Sequence, residues 1–162
     1  MATDISPTTG EAYYSGTWGE IREVLRVLNI GQGKLAQVTQ PMVNHYQERV
    51  DRDIDAKLES LYHVPVRSIN QVQPDGSIKA VFPGDIRYIA LYWAAGLLLL
   101  NEFQNLEQNQ TDQAQGYVER SQRQLFTVVS PDHRIWGLER KSNISHTLPP
   151  NLQPNRYPEA QF

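Results

Sequence analysis

Three short runs in this chain carry residue types that could do chemistry, and each fails on spacing or setting. Gly31-x-Gly33-x-x-Ala36 has the glycine spacing of a loop that lets a pyrophosphate approach backbone N–H groups. That chemistry needs a β-strand before the loop, and here a helical pattern precedes it. Gly33-Lys34 is followed by Leu35 and has no glycine five residues earlier, so it is not a phosphate-binding P-loop. Asp51-x-Asp53-x-Asp55 offers three carboxylates like the start of a calcium loop. The sixth and twelfth places, which need Gly and Glu, are Ala56 and Tyr62. His45 and Glu48, one helical turn apart, could hold a metal or trade protons, but two ligands from one turn need partners from elsewhere. His63, His133 and His146 fall in loops or the C-terminal segment, and no serine sits in a Gly-x-Ser-x-Gly elbow. The chain has no cysteine, which removes thiol nucleophiles, zinc thiolates, disulfides and iron–sulfur clusters. We therefore expect no catalytic, cofactor-binding or metal-binding residues, no cofactor and no enzymatic activity.

The balance of charge narrows the partners. Fifteen Lys and Arg stand against eighteen Asp and Glu, for a net charge of −3 in 162 residues. Sequence-specific DNA binding needs a clustered basic excess. The modest group Arg120, Arg123, Arg134, Arg140 and Lys141 suits head-to-tail contact between subunits better. The apolar run Ile89 to Leu100 falls short of the ~18–20 residues that cross a bilayer. The N-terminal residues lack a basic start followed by an apolar stretch, so we expect no signal peptide, no membrane association and a chain made in a cytoplasm.

The elements that would position any site are mainly helical. Residues 1–16 read as a flexible arm, interrupted by Pro7, Gly10 and Gly16. Thr17-x-x-Glu20 is a capping box that opens a first helix, with Trp18, Ile21, Val24 (or Leu25) and Leu28 on one stripe. A second helix follows, with Thr39 at its N-cap, Pro41 in the first turn and Val43, Tyr46, Val50, Ile54, Leu58 and Leu61 on its apolar face. Val64-Pro65 is expected to stop it. Pro74-Asp75-Gly76 marks a turn between alternating segments, which predicts a β-hairpin or extended loop over about 66–82. The third helix, about 85–108, is apolar on all sides and so should lie centrally. Its Ala94, Ala95 and Gly96 would let another backbone come close. A fourth helix, capped at Asn109-Gln110-Thr111, is expected over about 112–129. Residues 130–162 hold half the prolines yet keep Ile135, Trp136, Leu138, Tyr157 and Phe162. The expected fold class is thus mainly α: a small four-helix core over 17–129, a hairpin between its second and third helices, and an extended C-terminal docking arm over 130–162.

This layout resembles the head-tail connector, or adaptor, family of tailed bacteriophages. The likeness is carried by Trp18 to Leu28, by Val38-Thr39 to Leu61, and above all by Ile54-Asp55-Ala56-Lys57-Leu58-Glu59-Ser60-Leu61-Tyr62-His63-Val64-Pro65-Val66. Asp85-Ile86-Arg87-Tyr88-Ile89-Ala90-Leu91-Tyr92-Trp93-Ala94-Ala95 is similar to the family's Ala-rich third helix.

The resemblance implies a structural virion protein of the phage neck. Its copies would form a homo-oligomeric ring, usually a dodecamer, below the portal protein, extending the DNA channel and offering a docking face to the next neck or tail protein. DNA would pass through without sequence-specific binding. On that reading Trp136, Leu138, Tyr157 and Phe162 of the arm, with Pro74, Asp75 and Gly76 at the hairpin tip, are candidate partner-binding residues. The acidic residues Glu48, Asp51, Asp55 and Glu59 of the second helix are candidate channel-lining groups. The alternatives are a helical DNA-associated regulatory or packaging protein, which would need a basic recognition helix, and another neck or tail-completion protein.

Overall fold

The computed structural model describes residues 4–7, 9–28 and 30–141. Five helices and one hairpin follow in the order α1 (Trp18–Val27), α2 (Gln32–Ala36), α3 (Gln40–Leu58), β1 (Ile69–Val72), β2 (Ile78–Val81), α4 (Gly84–Glu102) and α5 (Gln108–Val128). The mainly α expectation holds, with the antiparallel hairpin between the second and third long helices of the core.

α1 begins where its capping box places it. Thr17 Oγ1 accepts from the Glu20 N–H and Glu20 Oε2 accepts from the Thr17 N–H at 2.8 Å. The same Glu20 carboxylate pairs with Arg87 on α4, so one side chain both starts α1 and ties it to the central helix. α4 is that centre: Ile86, Ile89, Ala90, Trp93, Ala94, Ala95, Leu98 and Leu99 are all buried, and it packs against α1, α3 and α5. α5 crosses it closely at Gly96. A Cβ on Gly96 would lie 2.8 Å from the Ala114 carbonyl oxygen and 2.9 Å from Val118 Cγ2. Only a residue without a side chain lets the two backbones approach so far.

Helix boundaries depart from the sequence reading in four places. α4 stops at Glu102, not 108, because Phe103 takes an extended backbone and turns its ring into the core. α5 starts at Gln108, ahead of Asn109-Gln110-Thr111. Its cap is a second reciprocal box, in which Gln110 Oε1 accepts from the Glu107 N–H at 3.2 Å and the Glu107 side chain accepts in return. α3 ends at Leu58, well before Val64-Pro65, and Thr39 sits at its N-cap position without a side-chain hydrogen bond. The short α2 fills a stretch with no periodic apolar signal of its own.

The two ends of the described chain also differ from expectation. Residues 4–7 and 9–16 are not a loose arm. Ile5 and Ala12 form an antiparallel bridge, and Tyr13, Tyr14 and Ser15 are buried. Nor are residues 130–141 an extended arm. Ile135 is buried, its N–H donates to Tyr62 Oη at 3.2 Å, Tyr62 and Arg140 form an antiparallel bridge, and the Lys141 N–H donates to the Leu61 carbonyl at 2.9 Å. Burial of Ile135 and Tyr62 outweighs the ordering of this short segment.

Candidate functional site

The hairpin is the least buried of the regular elements: every residue from 74 to 80 is exposed. Its register pairs Ile69 with Val81, Asn70 with Ala80, Gln71 with Lys79 and Val72 with Ile78. The turn is built as its sequence requires. Asp75 Oδ1 accepts from the Ser77 N–H at 2.9 Å and from the Ser77 hydroxyl at 2.6 Å, Gly76 takes a positive φ of 84°, and the Gly76 N–H donates to the Gln73 carbonyl. Those Ser77 hydrogen bonds also hold the Asp75 carboxyl below its ordinary range. Pro74, Asp75 and Gly76 are exposed at the tip.

Directly behind the tip stands the cross-strand pair Val72 and Ile78, 69% and 70% exposed. Directly opposed strand residues share one face, so the two side chains form a single apolar patch in water. The base of the hairpin is better covered. Ile69 and Val81 are half-buried, and Gly137 of the C-terminal segment packs on Ile69, where a Cβ would lie 3.1 Å from Ile69 Cδ1. The neighbouring Trp136 is 75% exposed, whereas Leu138 packs partly against the core. The fold therefore brings Trp136 beside the base of the hairpin and leaves Leu138 only partly accessible. Tyr157 and Phe162 lie outside the described residues.

The acidic second-helix residues, on α3, do not form a bare negative face. Asp51 is buried: its Oδ2 accepts from the Tyr14 N–H at 3.2 Å, and burial, with Asp55 and Glu48 nearby, pushes its pKa up to about 8. Asp55 is half-buried and accepts from Tyr14 Oη at 2.6 Å, and burial raises its pKa too. The Tyr14 hydroxyl in turn accepts from the Val66 N–H at 2.8 Å, and burial and the Asp55 contact keep the phenol protonated. Glu48 pairs with Arg52 on the next turn. Glu59 alone of the four is exposed. As a channel lining the group is thus corrected: Asp51 and Asp55 face the N-terminal segment and anchor it. Gln47 extends the same seam, donating to Ser15 Oγ and to the Gly16 carbonyl, both at 2.9 Å. The sequence offered these carboxylates as candidate channel-lining groups, because nothing local reveals that Tyr14 folds over Asp51 and Asp55.

Two grooves flank the α4–α5 pair. One, about 470 Å³, runs between α3 and α5, with Trp93 and the exposed Phe126 among its walls. The other, about 590 Å³, lies between α4 and α5 and carries Tyr88, Tyr92 and Tyr117. The Tyr92 and Tyr117 rings are 5.0 Å apart. The sequence reading did not single out this tyrosine groove. Its only local signal is the one-turn spacing of Tyr88 and Tyr92 on a helix that is apolar all round.

Among the described residues, no group of three His, Asp or Glu side chains is placed to share a metal ion. His45 is exposed, with its ring edge-on to Tyr46 at 5.2 Å. No helix of the described residues is long and apolar enough to cross a membrane. Comparison with protein-family models, with curated proteins and with solved structures gives no match.

Proposed function

We propose that this chain is a structural subunit of a tailed-phage neck. Its copies form a ring that joins the portal to the tail or the next neck component and extends the DNA channel. The observation that carries this reading is the exposed hairpin: the tip residues Pro74, Asp75 and Gly76 stand in water, with Val72 and Ile78 paired in water behind them and Trp136 at the base. A lone subunit gains nothing from holding such a patch in solvent. A heterologous contact, in which one face of a subunit meets a different face of the next, would bury it repeatedly around a closed ring. The sequence likeness at 54–66 and 85–95 supports the same reading. The function is binding and geometry, and the polar cluster around Asp51 serves to hold the subunit's N-terminal segment in place.

Electron microscopy of the purified protein mixed with a portal tests this. A ring stacked on the portal is expected with the wild-type chain, and its loss with Val72→Ser and Ile78→Ser together. Absence of association with the portal or with itself over a wide concentration range overturns the proposal.

A further inference from the structure

We infer that the tyrosine groove between α4 and α5 is the docking site for the chain's own C-terminal segment, residues 142–162. The groove is open and aromatic. Tyr88 is 61% and Tyr92 38% exposed, Tyr117 closes the opposite wall, Ile89 lies buried at the floor, and Asp85 and Arg120 supply one charge of each sign. An aromatic trough with a polar rim is the surface that proline-rich chains recognise. Proline fixes φ, so such a chain loses little conformational freedom when it docks.

The segment that follows Lys141 has that chemistry. It carries Pro149, Pro150, Pro154 and Pro158, apolar Leu148, Leu152, Tyr157 and Phe162, and the opposite charges Arg156 and Glu159 to meet Asp85 and Arg120. Its point of departure is also near the groove. Leaving α5, the chain passes Asp85, whose Oδ2 is 3.3 Å from His133 Nε2, and Arg140 then turns back onto the His133 carbonyl. Lys141 is tethered beyond it at the Leu61 and Glu59 carbonyls. At ~3.1 Å per residue in a polyproline conformation, the remaining residues reach on the order of 60 Å. They can therefore fill the groove of their own subunit or of the next. Delivery to a neighbouring copy is the form that suits a ring, and that clause alone rests on the neck reading.

The test uses the full chain with p-benzoylphenylalanine in place of Tyr88, assembled from equal parts of ¹⁴N- and ¹⁵N-labelled protein and irradiated. Mass spectrometry is expected to map crosslinks into 142–162. The same group in place of Phe126, on the other flank, should map elsewhere. Crosslinks from position 88 to other regions only, or none while position 126 reacts, overturn the docking site. Crosslinks joining ¹⁴N to ¹⁵N chains support delivery between copies. Crosslinks within single chains only uphold the groove and overturn the neighbour's delivery. A second measurement is independent of the crosslinker. Because cleavage follows the population of the released segment, tryptic cutting after Arg156 should accelerate about tenfold in Tyr88→Ala with Tyr92→Ala, and an unchanged rate counts against the site.

Discussion

The crossing of α4 and α5 makes the sharpest stability prediction, because one substitution at two glycines should act in opposite directions. Glycine to alanine inside a helix ordinarily stabilises by roughly 1 kcal/mol, through lower backbone entropy in the unfolded chain. Gly116 lies on α5 with nothing within 4 Å of its would-be Cβ, so Gly116→Ala should realise most of that gain. At Gly96 the new methyl would stand 2.8 Å from the Ala114 carbonyl oxygen, 2.9 Å from Val118 Cγ2 and 3.3 Å from Tyr117 Cβ. Two of these contacts are far inside van der Waals separation, and one is backbone that no rotamer change can move. The helices must separate along their shared face, so the cost lies at the upper end of the ~1–3 kcal/mol typical of overpacking. After the propensity gain is subtracted, Gly96→Ala should lose about 2 kcal/mol. For a chain of this length that is a fall in Tm of roughly 4–8 °C. Urea titration followed by circular dichroism measures both variants against the wild type. A Gly96→Ala chain as stable as wild type would refute the close crossing, and with it the placement of α5 on which the tyrosine groove depends.

Other perturbations probe the remaining contacts. Tyr14→Phe strips the acceptor from the buried Val66 N–H and the donor from Asp55, and should cost about 1–3 kcal/mol in urea unfolding at neutral pH. Asp51 carries a pKa raised to about 8 by burial, so between its ordinary carboxylate range and that value the folded chain holds a proton that the unfolded chain has released. Its contribution is therefore complete at acid pH and is lost as pH rises towards about 8. Asp51→Asn keeps an acceptor for the Tyr14 N–H with no proton to lose, so its stability relative to wild type should climb from about pH 5 to about pH 8. A flat difference would show that Asp51 is not buried as described. Val72→Ser with Ile78→Ser should change monomer stability by no more than ~0.5 kcal/mol, since both side chains are already in water, while abolishing assembly in sedimentation velocity. Ile135→Ala, at a fully buried position, should cost about 2–5 kcal/mol and loosen the segment clasped around Tyr62, seen as faster amide exchange at Lys141.

Much of this architecture was legible in the amino-acid order, because its causes act within a turn or two of helix. Thr17 and Glu20 start α1 on their own. Pro74-Asp75-Gly76 dictates the hairpin and its exposed tip. The unbroken apolar run of residues 89–100 demands a central helix, and Gly96 marks where its neighbour crosses. What the order of residues could not disclose depends on groups far apart in the chain. Asp51 reads as one more carboxylate on a charged helix until Tyr14, 37 residues earlier, lays its N–H against it. Tyr62 and Ile135 meet across 73 residues and convert the start of an expected extended docking arm into part of the body. The tyrosine groove exists only because α5 returns alongside α4. Local hydrogen bonding and hydrophobic periodicity fix the elements, but which polar groups are buried, and which aromatic faces stay open for a partner, is settled by the packing of elements that no short window contains.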